Sequence, residues 1–401
     1  MRRRIFMAGA VAAAAAVPLA TACSKEGGTS QPSGTAPQGG EPGTLLGKER
    51  IDTSITGAQA WKVRYASRDA NDTPTESSGL VIAPEGRGDN RPILIWCHGT
   101  TGLGDAACPS AQPDPARELI TYFTPQSTQQ IDYGVPGLQG FIDDGWVVCA
   151  SDYQGLGTPG MHQYLLNRTN ARDAVNSAHA ARSMDLGAGT TLGCAGWSQG
   201  GGAAAAVAEL DPSDYLDLRL IGTVTMSPGV SKIAINSKLG PMPALTDNKL
   251  TPPSYIVMIL AGIQAANPSK LALSDVFTPL GLEILEQAWE IQPTHHLNDT
   301  VARLFRLKGP ILNSPLKNFD QWKSLIEAGS AANRKPIAPV LVCVDSFDGG
   351  TVVPVPWQTD YVNAVKSFGG SVEVRDYPKD DHFALPAACV GGAREWLNGL
   401  K

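Results

Sequence analysis

The sequence predicts an α/β domain: a mostly parallel sheet covered by helices on both faces, with a helical segment inserted late in the chain. Three observations carry this. From residue 51 onwards, short apolar runs alternate with helical stretches. The runs at 91–97, 146–151, 220–226 and 338–344 are apolar almost throughout rather than at every second residue, which marks strands buried on both faces. Between 228 and 336 strand-like runs vanish, and helical segments separated by prolines replace them.

The N-terminus reads as an export signal. Arg2, Arg3 and Arg4 precede an apolar, alanine-rich stretch over 5–19, shorter than the about 20 residues that cross a membrane. Small residues then lead to Cys23, in the manner of a bacterial lipobox, so Cys23 is the expected lipidation site. Cleavage after Ala22, giving a secreted protein without an anchor, is the alternative. Residues 24–50 are dominated by Gly, Ser, Pro and Thr and read as a flexible tether. The core is expected over 51–227 and 337–401, and a helical cap over 228–336.

Within the core, 60–67 and 78–83 form an antiparallel opening pair, and the buried strand 91–97 follows. A strand at 146–151 leads to a helix at 170–184, and a further strand at 220–226 ends at Ser227-Pro228-Gly229. The cap contributes helices near 254–266, 280–291, 298–308 and 318–328. Its apolar residues, among them Ile256, Ile259, Leu260, Ile263, Leu282, Leu285 and Phe305, either line a pocket or, more simply, pack the cap's own core. The parallel pattern resumes with a strand at 338–344, a helix at 361–368, a strand at 371–377 and a closing helix at 387–400.

Charge and cysteines narrow the function classes. With 32 Lys and Arg against 38 Asp and Glu, the net charge is −6. No basic tract stands out beyond the signal, which argues against a nucleic-acid partner. The lipid anchor is the expected link to a membrane. Cys97, Cys149, Cys194 and Cys343 lie in strand-like runs and read as buried thiols. Cys108 lies in a loop and is the better disulfide candidate. No Cys-x-x-Cys pair and no zinc-spaced histidine cluster occurs, so neither a metal nor a cofactor is expected.

The chemistry centres on Gly196-Trp197-Ser198-Gln199-Gly200, a G-x-S-x-G motif between a short apolar run and the alanine-rich stretch 203–208. A serine at such a strand-to-helix junction is forced into a strained turn that lifts its hydroxyl above the sheet. The helix N-terminus behind it favours developing negative charge. A helix-capping serine in a glycine-rich turn is the bland reading of the same residues.

A nucleophilic serine needs a base, an orienting carboxylate and an oxyanion hole. His382 is the sole histidine after His296, and it follows a strand and precedes a helix, where a base above the serine must stand. His98, His162 and His179 lie upstream of Ser198, and His295 and His296 fall in the cap. Two aspartates after the strand at 338–344 compete for the carboxylate. Asp348 is preferred, because it stands further into the loop, ahead of Val352-Val353-Pro354; Asp345 directly follows the apolar run and is the alternative. The oxyanion donors are expected to be the backbone amides of Gln199 and of Thr100, in the glycine-bearing loop after the strand at 91–97.

Three stretches now carry a resemblance. They are His98-Gly99-Thr100-Thr101-Gly102-Leu103-Gly104 running on to Cys108-Pro109-Ser110, then Asp152-Tyr153-Gln154-Gly155-Leu156-Gly157-Thr158-Pro159-Gly160, then Gly196 to Gly201. Together they resemble the secretory lipase family of α/β-hydrolases. The resemblance implies ester hydrolysis, a helical cap over an acyl pocket, and a triad of Ser198, Asp348 and His382. The expected substrate is an acylglycerol-like or other apolar ester. An acyltransferase with the same triad and a non-catalytic lipid-anchored binding protein are the rival readings. Gly155 to Gly160 also fits G-x-G-x-x-G, but Pro159 and Gly160 interrupt where a dinucleotide-binding helix should open.

Overall fold

The computed structural model describes residues 40–122, 124–125, 131–240, 242–347 and 352–401. Nine strands form one sheet: β1 Leu45–Ile51, β2 Ala58–Arg68, β3 Pro74–Pro84, β4 Arg91–Cys97, β5 Val147–Ser151, β6 Ala188–Trp197, β7 Arg219–Met226, β8 Val340–Val344 and β9 Val372–Asp376. Their order is β1-β2-β3-β5-β4-β6-β7-β8-β9. The β1–β2, β2–β3 and β3–β5 pairs are antiparallel, and every pairing from β5 to β9 is parallel.

The doubly apolar strands have a direct structural cause. Successive side chains of a strand point to opposite faces. Ile93, Ile95 and Cys97 of β4 therefore join one core layer while Leu94 and Trp96 join the other. Helices α1 Leu138–Asp143, α2 Asn167–Arg182, α3 Gln199–Val207, α4 Pro212–Tyr215, α5 Ser231–Asn236, α6 Ser254–Ala266, α7 Pro279–Ala288, α8 Thr294–Lys308, α9 Phe319–Ala328, α10 Val355–Ser367 and α11 Leu385–Asn398 complete the chain. Residues of α2, α3 and α10 cover the first layer, and residues of α1 and α11 the second.

Between β7 and β8 the described chain is helical. This segment has its own apolar centre, in which Ile256, Ile263, Leu285, Trp322 and Ile326 are buried. Helix α6 is apolar nearly all round, as befits a helix enclosed by others.

Two expectations change here. Residues 45–50, read as part of the tether, belong to edge strand β1, which pairs with β2 from Leu45↔Tyr65 to Ile51↔Ala60. Backbone hydrogen bonds hold it, and its polar middle faces solvent as an edge strand's does. Cys108 is unbridged, as are the other described cysteines. It is buried, and its Sγ lies 3.6 Å from Ser110 Oγ. The signal, Cys23 and the tether up to residue 39 lie outside the described residues.

Candidate active site

Strand β6 ends at Trp197 and α3 begins at Gln199, so Ser198 alone makes the turn. It does so at φ 58° and ψ −117°, a conformation that costs an L-residue energy. The turn holds because backbones crowd it. A Cβ on Gly196 would run into the Gly200 carbonyl, and one on Gly200 into the Cys97 carbonyl. Ser198 N–H donates to Met226 O at 2.9 Å, and Ser198 O accepts from Gly202 N and Gly229 N at 3.1 and 2.8 Å.

His382 stands in the loop between β9 and α11, 2 % exposed. Its Nδ1 lies 2.9 Å from Asp345 Oδ2 and 3.1 Å from Ser227 Oγ. Trp197 Nε1 donates to the His382 carbonyl at 2.9 Å, tying the histidine loop to the residue before Ser198. An Nδ1 proton directed at a carboxylate leaves Nε2 as the basic nitrogen. Asp345 is the first residue past β8 and is fully buried. Its Oδ1 accepts from Gln358 Nε2. Asp348, the carboxylate preferred from the sequence, lies outside the described residues. Among the described residues the carboxylate on His382 is that of Asp345. Strand β8 stops at Val344, which turns Asp345 out of the ladder towards the histidine.

The expected oxyanion donors, Gln199 and Thr100, line the same cavity as Ser198. Gln199 opens α3, so its amide is among the N–H groups without an intrahelical acceptor. Thr100 Oγ1 is 2.7 Å from Tyr164 Oη. Its neighbour Thr101 accepts from Thr294 N at 2.8 Å, linking this loop to α8.

No motif along the chain marks what holds the Gln199 side chain. His162 Nδ1 donates to Gln154 O at 2.8 Å, so Nε2 accepts from Gln199 Nε2 at 2.7 Å. Asn170 Oδ1 accepts from the same nitrogen at 3.3 Å. Burial pushes His162 down to about 3, which keeps it neutral and an acceptor. The remaining motif stretches meet behind this network. Asp152 accepts from Ser110 N, Ser110 Oγ and Ser78 Oγ at 2.8, 2.6 and 2.7 Å.

Ser198, His382, Thr100 and Gln199 line one cavity of about 980 Å³, open mouth included. Its walls are mainly apolar, with Leu165, Met242, Ile259 and Trp357 among them. Of the seven cap residues singled out from the sequence, Ile259 reaches the cavity, while the others belong to or pack against the cap's own core. Among the described residues no group of His, Cys, Asp or Glu could hold a metal ion.

A mostly parallel sheet with a serine at the strand-to-helix turn after β6 and a histidine after its last strand is the layout of the α/β-hydrolase fold. Residues 122–268 match the secretory lipase family. In structure the chain is similar to the rice cell wall degrading esterase LipA from Xanthomonas oryzae, at 20% identity over 90% of this chain and 100% of that one, with a TM-score of 0.68. It is also similar to Candida antarctica lipase A, at 13% identity over 90% and 83% of the two chains, with a TM-score of 0.64. No curated protein matches the sequence. These likenesses show the α/β-hydrolase fold, and the match over residues 122–268 makes this stretch similar to the secretory lipase family.

Proposed function

We propose that the protein is an exported carboxylester hydrolase that cleaves apolar esters through an acyl-enzyme. Ser198 is the nucleophile, His382 the base and Asp345 the orienting carboxylate. The observation that carries this is the buried 2.9 Å contact of His382 Nδ1 with Asp345 Oδ2, with His382 lining the same cavity as the strained Ser198. Asp348 remains the sequence-based candidate for the carboxylate, and the two aspartates are separated by measurement below. The catalytic core is taken as 51–227 and 337–401 and the cap as 228–336. The family's description as secretory supports export. No helix of the described residues is long and apolar enough to cross a membrane. Lipidation at Cys23 is proposed from the lipobox-like sequence alone.

In this reading Ser198 Oγ attacks the ester carbonyl carbon while its proton passes to His382 Nε2. The amides of Gln199 and Thr100 take the charge that forms on the carbonyl oxygen. The tetrahedral intermediate expels the alcohol, which leaves with the proton from His382. Water then attacks the acyl-enzyme by the reverse path and releases the acid.

A fluorophosphonate probe with mass mapping of the adduct tests the reading. The expected adduct is on Ser198, and it disappears in His382→Ala. Folded protein that takes no label would show that Ser198 is not activated.

A further inference from the structure

Ser198 has a strained neighbour of its own kind. Ser227, the first residue past β7, stands at φ 46° and is fully buried. A positive φ costs any residue that carries a Cβ, and glycine would adopt it freely. Main-chain bonds tie the turn on two sides. Ser227 N–H donates to Cys343 O at 2.9 Å, in the strand that leads to Asp345. Met226 O accepts from Ser198 N at 2.9 Å, and Gly229 N donates to Ser198 O at 2.8 Å. The backbone at Ser227 is thus fixed to both the elbow and the carboxylate strand.

The conformation delivers a hydroxyl to the histidine. Ser227 Oγ lies 3.1 Å from His382 Nδ1, and Asp345 Oδ2 lies 2.9 Å from the same nitrogen. The two oxygens come from the ends of β7 and β8, which run in register at Met226↔Cys343. With the Nδ1 proton directed at the carboxylate, Ser227 Oγ is a second acceptor on the same N–H. Strain of this kind persists where its surroundings over-determine it, and it gathers at working sites.

We propose that Ser227 is a positioning residue for catalysis: its hydroxyl and the Asp345 carboxylate share the Nδ1 proton of His382 and together fix the plane of the imidazole. The inference rests on the ester-hydrolase reading, with Asp345 as the carboxylate. A single acceptor leaves the ring free to swing about the Nδ1···Oδ2 axis. A second acceptor, on a different strand, removes that freedom and keeps Nε2 where it can take the Ser198 proton. The demand on the pair grows during turnover. Once Nε2 holds that proton the ring is a cation, and both contacts to Nδ1–H strengthen. No proton leaves Nδ1, so Ser227 accepts throughout.

The test measures kcat and KM on p-nitrophenyl butyrate for the full-length enzyme, Ser227→Ala, Ser227→Gly, Asp345→Ala and the Asp345→Ala/Ser227→Ala double variant, with Tm for each. Ser227→Ala and Ser227→Gly are each expected to lose about tenfold in kcat, with KM within about twofold of wild type. Glycine relieves the strain but loosens the unfolded chain, so its Tm is expected within a few degrees of wild type, and it supplies the reading should alanine not fold. On the Asp345→Ala background, Ser227→Ala is expected to cost less than about threefold, because the ring it helps to hold is already adrift. Full activity in Ser227→Ala would show that the Cβ alone matters. A loss confined to KM, or the whole tenfold loss repeated on the Asp345→Ala background, would show that Ser227 acts apart from His382. Each of these overturns the proposal while leaving the hydrolase. Wild-type kcat in Asp345→Ala would remove the carboxylate on which the pairing depends and overturn it too. A wild-type enzyme that neither cleaves the ester nor takes the fluorophosphonate label would count against the hydrolase reading itself, and with it against any role for Ser227 in catalysis.

Discussion

The two walls of the cavity are built by different physics. The sheet-side wall comes from the carboxyl ends of parallel strands: Thr100 after β4, Ser198 after β6 and His382 after β9, with Asp345 after β8 bonded to His382. Crossing backbones and buried hydrogen bonds fix each position, so that a single Cβ at Gly200 would collide with main chain. The cap-side wall, with Met242, Tyr255, Ile259, His295 and Asn298, hangs on helices that pack round a core of their own. Chemistry lives where the backbone has no freedom, and selectivity where side chains can be exchanged without moving it. Changes to the first wall should therefore cost turnover, and changes to the second should redistribute it among substrates.

The largest effect that sharpens the comparison concerns the carboxylate. Asp345→Asn is expected to lower kcat about 10³- to 10⁴-fold, because an amide on Nδ1 stabilises the wrong imidazole tautomer. Asp348→Asn is expected to cost less than tenfold if Asp345 holds the role, a modest loop effect. Esterase kinetics on both variants decide it, and the reverse ranking would return the role to Asp348.

A smaller loss is expected at His162, which reaches the chemistry through Gln199. His162→Asn removes the Nε2 acceptor while keeping a group that can donate to Gln154 O, and should lower kcat about 10- to 100-fold with KM little changed. His162→Gln places an oxygen near the old Nε2 and should restore most of the rate. Loss confined to KM, or equal loss in both variants, would show that His162 only supports the fold.

On the cap wall, Ile259→Trp should leave butyrate esters nearly untouched and lower kcat/KM on octanoate esters about tenfold, because it fills part of the cavity from the cap side. A uniform fall across a p-nitrophenyl ester series would place Ile259 in the cap's packing instead.

What the sequence made legible follows the same division. The elbow, the buried strands and His382 were readable because each depends on local order along the chain. The choice between Asp345 and Asp348 turned on where β8 stops, a boundary that the apolar run to Val344 leaves open by a few residues. The support of Gln199 was invisible, since His162 and Asn170 are 37 and 29 residues away and carry no motif of their own. Edge strand β1 escaped notice because a strand wet on its outer side needs no apolar pattern. The loop position of Cys108 suggested a bridge, whereas its thiol fills a space beneath Gly157.

The smallest effect tests the sheet side's cost in stability. Asp173 of α2 is fully buried, with Oδ1 accepting from Ser67 Oγ at 2.6 Å and Oδ2 from Gln154 N at 2.9 Å. Burial raises it to about 7, Asp69 adds to the rise, and the two hydrogen bonds and Arg172 oppose it. A carboxyl raised in the folded state favours folding while protonated. Its contribution is fully present below the ordinary value of 3.8 and is lost as pH rises through about 7. Asp132, raised for the same reason, slopes the same way. Asp173→Asn removes the proton from the balance but sets an amide against the Gln154 N–H. It should therefore lower Tm at pH 4 by a few degrees while flattening the decline between pH 4 and pH 8. Thermal scans of both proteins across that range check the sign. A variant that declines as steeply as the wild type would place the titration elsewhere, and an unchanged Tm at pH 4 would mean that the buried Gln154 amide finds another acceptor.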